Sequence, residues 1–313
     1  MKKVTVSVPG KIHLMGEHAV VYGKPALLSA IDLRLSVSIE PSETFEIISS
    51  EPTDHAKYAL DFLLDHMKVK KDPLVKITIE SEIPAGFHLG SSAAVAVGLS
   101  GAMTYFFKNL WNPIRINELA YQIEKKQHGN PSGGDNTTIT MGGFIWFRKE
   151  LEFLKSIWQL PFKPHPSLNH FFLIKTKRPS ETTGEMVALV RARYTKEQKK
   201  MEALFNRNET QVKRVAVALK EGNEKELLDA IQVGESTLEG MGVVSQIVQS
   251  LIREIEKSGG AAKILGGGGV KDGVGFLLCY HHEPKRIAAL CKAHEYTTQS
   301  IILGEEGIRL EQR

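Results

Sequence analysis

The sequence predicts an α+β fold built from two unequal lobes, and three observations support that prediction. The chain has 313 residues, of which 42% are hydrophobic and 24% charged, so it can bury a large core. Segments with the two-residue period of strands and segments with the 3.6-residue period of helices occur in both halves. Their order lacks the regular strand–helix alternation of a doubly wound parallel sheet.

In the first half, residues 4–8 alternate apolar and polar side chains and then meet Pro9-Gly10, which predicts a strand that ends at a turn. Residues 91–110 are rich in Ala, Val and Leu with little charge, which predicts a buried helix. The remaining expectations are strands over 35–39, 45–48 and 76–80, amphipathic helices over 54–67 and 117–126, and a strand with a turn over 137–148.

The second half begins after three prolines between Pro161 and Pro166, which indicate a crossing between lobes and predict domains 1–165 and 166–313. A charge-rich helical region over 195–257 ends at Gly259-Gly260 and carries an apolar stripe that includes Val244, Ile247 and Val248. Strands are expected over 170–175, 274–280 and 299–303, with a helix over 284–294.

Composition excludes several classes of protein. Lys plus Arg number 40 and Asp plus Glu 36, so the net charge is only +4, without the clustered excess of a dedicated nucleic-acid binder. No stretch approaches the roughly 18 consecutive apolar residues of a membrane span. The two cysteines, Cys279 and Cys291, form no CxxC pair, which favours reduced thiols in a cytoplasmic protein. We therefore expect no nucleic-acid partner and no membrane partner.

The first glycine-bearing segment, residues 9–26, places Lys11, Glu17 and two histidines beside a Pro-Gly pair. His13, Glu17 and His18 lack the spacing of a zinc site. The standard phosphate-binding GxxxxGK[ST] and dinucleotide GxGxxG patterns are absent, as are the protein kinase motifs. Any nucleotide chemistry must therefore use another scaffold.

The second segment, residues 83–94, runs glycines and serines straight into the buried helix. Backbone N–H groups and the positive end of a helix dipole would meet there, an arrangement that suits phosphate. An ordinary serine N-cap is the alternative.

The third segment, residues 263–269, ends in the glycine run Gly266–Gly269, ahead of the strand at 274–280. Four consecutive glycines favour close backbone approach, with a flexible hinge as the alternative. Asp135 lies between the second and third segments, in a Gly/Pro/Ser-rich stretch that by itself is typical of a surface turn.

Taken in this order, the segments resemble the GHMP kinases, and residues 9–26 and 128–136 are most similar to the mevalonate kinases among them. Residues 175–183 also resemble a stretch found in that group. The resemblance covers most of the chain. It implies a lobe like ribosomal protein S5 domain 2, a ferredoxin-like C-terminal lobe, and a kinase that uses ATP and Mg²⁺ to phosphorylate the C5 hydroxyl of mevalonate.

The resemblance also implies roles for individual residues. Asp135 takes the catalytic position, with Lys11 beside it to keep it ionised and to stabilise developing charge. Ser92 and Glu124 match the magnesium-binding pair, and Glu17 and His18 match substrate-pocket positions, where Lys11 and Asp135 also bind the acceptor. The implied ATP-binding residues are Ala85, Gly86, Phe87, His88, Leu89, Gly90, Ser91, Ser92, Gly266, Gly267 and Gly268.

Two departures from the family pattern leave nucleotide preference open. His88 stands where the family carries glycine, so either the backbone there needs no positive φ or the loop follows another path. Leu265 and Gly267 replace the usual threonine and alanine in the third segment.

Three readings stay open beside the leading one. They are a kinase for phosphomevalonate, a kinase for another mevalonate hydroxyl, and a non-catalytic ligand sensor of the same fold. The sequence also leaves open whether the protein is a monomer or a homodimer.

Overall fold

A computed structural model describes residues 3–50, 53–128, 131–151 and 153–312 and shows an α+β fold. Packing divides the chain into two units that are both discontinuous in sequence. The first unit comprises Met1–Ile12, Ser29–Ile145 and Gly304–Arg313, and the second comprises His13–Leu28 and Trp146–Leu303. Each unit thus draws on both halves of the sequence, while the division into domains 1–165 and 166–313 stays a prediction.

Eleven strands form two sheets among the described residues. The strands are β1 (Val4–Met15), β2 (Pro25–Pro41), β3 (Glu46–Ser49), β4 (Val75–Ser81), β5 (Phe144–Lys149), β6 (Lys155–Leu160), β7 (Phe171–Lys175), β8 (Ala261–Ile264), β9 (Phe276–Tyr280), β10 (Thr297–Ile301) and β11 (Arg309–Gln312). One sheet has the order β11-β1-β2-β4-β3, with β5 paired to β2 and to β6, and the other has the order β10-β7-β9-β8.

Nine α-helices accompany these strands within the described ranges, and a short 3₁₀ turn covers Ala19–Tyr22. The helices are α1 (Thr53–His66), α2 (Ser91–Lys108), α3 (Pro113–His128), α4 (Gly134–Met141), α5 (Thr183–Lys196), α6 (Gln198–Glu221), α7 (Glu224–Met241), α8 (Gln246–Lys257) and α9 (Pro284–Ala293). No helix among the described residues has the length and apolar content needed to cross a membrane.

The core of the first unit forms where α2 packs on the sheet. Most residues of α2 are buried, as its composition predicts. A Cβ atom at Gly98 would come within 2.9 Å of Val37, and one at Gly101 within 2.5 Å of Ile308. Glycine at these two positions therefore lets the helix approach the strands closely.

The four-stranded sheet of the second unit is antiparallel at every pairing, with Phe172 opposite Cys279 at its centre. Its strand order, taken with the helices between β7 and β8 and between β9 and β10, is that of a ferredoxin-like lobe. Both cysteines are buried in its core, and burial raises the pKa of Cys291 to about 11, so these thiols are unreactive.

Several predicted elements are wrong in extent or type. β1 does not end at Pro9-Gly10 but continues to Met15. Residues 137–141, predicted as part of a strand, belong to α4. Ile247 lies outside the buried stripe of α8, with 58% of its surface exposed.

The second half also contains three elements that periodicity missed, namely α5, β8 and β11. β8 is only four residues long and lies between two glycine-containing segments, so it gives little periodic signal. α5 begins at Thr183, twelve residues before the predicted helical region, where Thr182 and Glu185 form a capping box.

Candidate active site

A cavity of about 560 Å³ lies in the first unit. It is bounded by the glycine–serine loop before α2, by the first turn of α4 and by side chains from α1 and α3. Its lining includes Ala85, Gly86, His88, Gly90, Ser91, Ser92, His55, Glu124 and Asp135. The structure thus brings together six of the eight loop residues predicted to bind ATP, the predicted magnesium pair and the predicted catalytic aspartate.

The remaining two loop residues lie differently. Leu89 is fully buried, and its carbonyl accepts a hydrogen bond from the Lys11 backbone N–H at 2.9 Å. Phe87 is half-buried and is not among the cavity-lining residues that the structure describes. Leu89 therefore joins the loop to β1 through its backbone.

The loop turns into α2 at Gly90, whose φ of 85° is in the left-handed region. A Cβ atom at Gly90 would lie 2.8 Å from Cγ of Lys11. Glycine is required there for two reasons: the backbone conformation is left-handed, and the aliphatic part of the Lys11 side chain packs directly against it. Because Gly90 has no side chain to cap the helix, the first turn of α2 presents its backbone N–H groups at the cavity, as phosphate binding needs.

His88 also has a positive φ, of 63°. The alternative that this backbone position needs no positive φ is therefore wrong, and the loop keeps a left-handed residue although a histidine occupies it. The half-buried imidazole lines the cavity.

Lys11 and Asp135 form an ion pair, with Nζ of Lys11 2.9 Å from Oδ2 of Asp135. The lysine side chain is buried, whereas 40% of the Asp135 side chain is exposed. One oxygen of the carboxylate thus faces a fixed cation while the side chain stays accessible. A hydroxyl group that approached Asp135 would meet a hydrogen-bond acceptor and a positive charge together.

α3 positions Asp135 through a neighbouring amide. Asn136 Nδ2 donates to Oδ1 of Asn117 at 2.7 Å, which ties the first turn of α4 to α3. Asn117 and Glu124 are seven positions apart, so they project from the same face of α3. The helix therefore orients α4 with one residue and supplies a carboxylate to the cavity with the other.

Ser92 Oγ donates to Glu124 Oε1 at 2.7 Å, and both residues line the cavity beside the loop. A serine hydroxyl and a carboxylate offer the hard oxygen ligands that Mg²⁺ prefers. The two residues fit a magnesium ion bound together with a nucleotide.

His55 of α1 is a third member of this group that sequence reasoning missed. Its Nε2 donates to the Ser92 carbonyl at 2.9 Å and lies 3.6 Å from Oε1 of Glu124. No sequence signal identifies it, because a single histidine on an amphipathic helix is unremarkable. Asn117 and Asn136 were also given no role, because nothing local in the sequence shows that their amide groups bond to each other.

The predicted substrate residues Glu17 and His18 are buried in the second unit. Glu17 pairs with Lys263 of β8, and His18 Nε2 donates to the Gly267 carbonyl at 2.9 Å. Burial lowers the pKa of His18, so the ring is neutral at pH 7 with its proton on Nε2. Two residues of the first motif thus contact the segment that contains the third.

The glycines of the third motif pack against backbone rather than forming a hinge. A Cβ atom at Gly268 would come within 2.1 Å of the Val243 carbonyl oxygen, and one at Gly267 within 3.3 Å of Cα of Thr183. Gly266 and Gly268 both have positive φ. Close backbone approach, the first of the two interpretations of this run, is therefore what the second unit shows.

Comparisons with known proteins agree with this architecture. Residues 54–143 match the sequence model of the GHMP kinases N terminal domain. The mevalonate kinase of Archaeoglobus fulgidus is 35% identical over 273 residues, covering 84% of this chain and 88% of that protein. The mevalonate kinase of Pyrococcus abyssi is 28% identical over 344 residues, covering 99% and 98%.

A solved structure shows the same fold. The crystal structure of L. major mevalonate kinase in complex with R-mevalonate superposes with a TM-score of 0.81 at 20% identity, covering 96% of each chain. The chain belongs to the GHMP kinases and, within that superfamily, to the mevalonate kinase family. The family and fold class predicted from the sequence are confirmed.

Proposed function

We propose that this protein is an ATP-dependent kinase that phosphorylates the C5 hydroxyl of mevalonate to give 5-phosphomevalonate. One observation carries the proposal. The Lys11–Asp135 ion pair lies beside a phosphate-type loop, at a cavity large enough for a nucleotide. The relatives named mevalonate kinase, similar over most of the chain, support the choice of acceptor.

The nucleotide is held by the Ala85–Ser92 loop and the first turn of α2, with Gly266, Gly267 and Gly268 as further contacts. Ser92 and Glu124 would hold a magnesium ion, which would neutralise charge on the phosphate oxygens. Ser92 Oγ and Glu124 Oε1 already lie within 2.7 Å of each other. Little side-chain rearrangement is therefore needed for both to face the same ion.

Asp135 accepts the hydrogen of the mevalonate C5 hydroxyl and orients its oxygen toward the γ-phosphorus. That oxygen forms the new P–O bond as the bond from the γ-phosphorus to the bridging oxygen of ADP breaks, and the hydroxyl proton passes to Asp135. Lys11 stabilises charge on the acceptor oxygen and the transferring phosphoryl group. Because Asp135 is paired with a lysine, it orients the acceptor more than it acts as a strong base.

Glu17 and His18 recognise the acceptor. The neutral His18 ring donates from Nε2 to protein backbone, which leaves Nδ1 as an acceptor. We further infer a cytoplasmic location from the two buried, unpaired thiols.

The acceptor is tested by measuring ADP release with mevalonate, phosphomevalonate, galactose and homoserine at saturating Mg-ATP. We expect turnover with mevalonate and none above background with the other three. Turnover of phosphomevalonate in place of mevalonate would establish the first alternative. Mevalonate binding without ADP release in any assay would establish a ligand sensor.

A further inference from the structure

Three ionisable side chains, Lys263, Glu17 and Glu235, form a buried cluster in the second unit. Lys263 is the third residue of β8 and has no exposed side-chain surface. Glu17 is 4% exposed, and Glu235 of α7 is fully buried. Charges removed from water in this way must be paired or neutralised.

The Lys263 ammonium has three N–H donors, and three acceptors surround it. Nζ donates to Oε1 of Glu17, to the His13 carbonyl at 3.3 Å and to the Ile264 carbonyl at 2.6 Å. Glu17 is the charged member of this set. All three N–H donors of the Lys263 ammonium therefore have an acceptor, and Glu17 is its counter-ion.

Glu235 also contacts β8, but it bonds to the backbone of the strand and not to the Lys263 ammonium. Its Oε2 accepts the Ile264 backbone N–H at 3.0 Å, while Oε1 has no hydrogen-bond partner among the residues that the structure describes. Burial raises the pKa of Glu235 to about 8, so this carboxyl group is protonated at neutral pH. The cluster then contains one positive and one negative charge.

The glycine run that follows β8 contacts His18, the residue after Glu17. Four positions beyond Lys263, the Gly267 carbonyl accepts the hydrogen bond from His18. The second carboxylate oxygen of Glu17, Oε2, is buried and has no hydrogen-bond partner in the described part of the chain. It is thus an oriented acceptor with capacity for one more donor, such as a hydroxyl group.

We propose that Lys263 is a positioning residue that fixes the Glu17 carboxylate for recognition of the acceptor hydroxyl compound. This inference rests on the proposed function, which places Glu17 in acceptor recognition. Lys263 acts through Glu17 and not by contacting substrate. Lys263 consequently contributes to acceptor binding. The glycines that follow it, Gly266, Gly267 and Gly268, are assigned to ATP binding.

A double-mutant cycle tests this role. The variants are Glu17→Gln, Lys263→Met and the combination, each assayed for the KM of mevalonate and the KM of ATP. We expect each single variant to raise the mevalonate KM at least about tenfold with the ATP KM within about twofold, and the combination to be no worse than either single variant. Effects that multiply in the combination would overturn the proposal, because they would show that Lys263 acts independently of Glu17.

Unfolding by urea gives a second readout that needs no substrate. Lys263→Met leaves Glu17 buried without its counter-ion and should shift the unfolding midpoint to lower urea, whereas the combined variant removes both charges and should recover part of that shift. If Lys263→Met alone does not fold, the unfolding midpoint of the combined variant is compared directly with that of Glu17→Gln. Lys257→Met, the same substitution at an exposed position of α8, is the matched control.

The two hypotheses fail in different ways. A wild-type protein that releases no ADP with mevalonate but turns over another acceptor overturns the proposed function, and the cycle is then run with that acceptor. Absence of coupling between the two substitutions in the unfolding midpoint overturns the positioning role whatever the acceptor is.

Discussion

At the residue scale, Lys11 and Asp135 have contrasting environments, and these suit the different roles proposed for them. Lys11 is fixed on three sides, by its backbone bond to Leu89, by the passage of its stem over Gly90 and by its ion pair. Asp135 is held by the first turn of α4 but remains accessible. A rigid cation beside an accessible carboxylate suits a reaction in which alignment and charge stabilisation dominate.

Asp135→Asn should lower kcat by about 10²–10⁴-fold, because the amide can neither accept the hydroxyl proton nor pair with Lys11. ATP binding should change little, since Asp135 is assigned to the acceptor. Single-turnover assays and ADP titration measure the two quantities, with Asp61→Asn on the exposed face of α1 as the control. Undiminished mevalonate turnover in Asp135→Asn would refute the proposed mechanism while leaving the acceptor assignment in place.

Glu235 makes the stability of the protein depend on pH. Its pKa is about 8 in the folded protein against 4.5 for an ordinary glutamate, so the folded state keeps a proton that the unfolded state releases. The stabilising contribution of Glu235 should therefore fall as pH rises from about 4.5 to about 8, by up to about 1.4 kcal/mol per pH unit.

Glu235→Gln carries no titrating proton and should flatten this part of the pH profile. Urea unfolding at pH 5, 6, 7 and 8 measures the slope, and Glu221→Gln at an exposed position should keep the wild-type slope. Equal slopes in wild type and Glu235→Gln would show that Glu235 is not the group responsible.

At the scale of elements, periodicity found the long helices and most strands but failed where side chains override propensity. Thr138 and Thr140 are β-branched and favour a strand, yet their hydroxyls donate to the carbonyls of Gly134 and Asn136 and are accommodated in α4. Pro9-Gly10 is typical of a turn, but the next N–H, that of Lys11, bonds to Leu89, and the strand continues. Such partners lie far along the chain and leave no local pattern.

The role of Gly90, where the glycine–serine loop leads into α2, is tested by Gly90→Ala. The added methyl group requires a left-handed alanine and meets Lys11 at 2.8 Å, so stability should fall by about 1–2 kcal/mol and the ATP KM should rise at least about tenfold. Gly184→Ala is the matched control, because its Cβ would have no neighbour closer than 3.9 Å and its position is helical. Wild-type stability and ATP KM in Gly90→Ala would contradict the role given to this glycine.

At the scale of the whole molecule, three spaced motifs were sufficient to predict the family and the α+β class. They were not sufficient to predict the supporting residues. Lys263 and Glu17 are 246 positions apart, and neither Glu235 nor His55 stands in a recognisable motif. Single ordinary residues acquire such roles only through burial and a distant partner, which one sequence does not reveal.

The position of phosphorylation is the most direct test of the account. The protein would be incubated with R-mevalonate and Mg-ATP, and the product examined by ³¹P NMR without proton decoupling. Phosphate on C5, a CH₂ carbon, gives a signal split into a triplet by two protons, and the account predicts this triplet. A singlet, from phosphate on the tertiary C3 oxygen, or no phosphorylated product at all would contradict it.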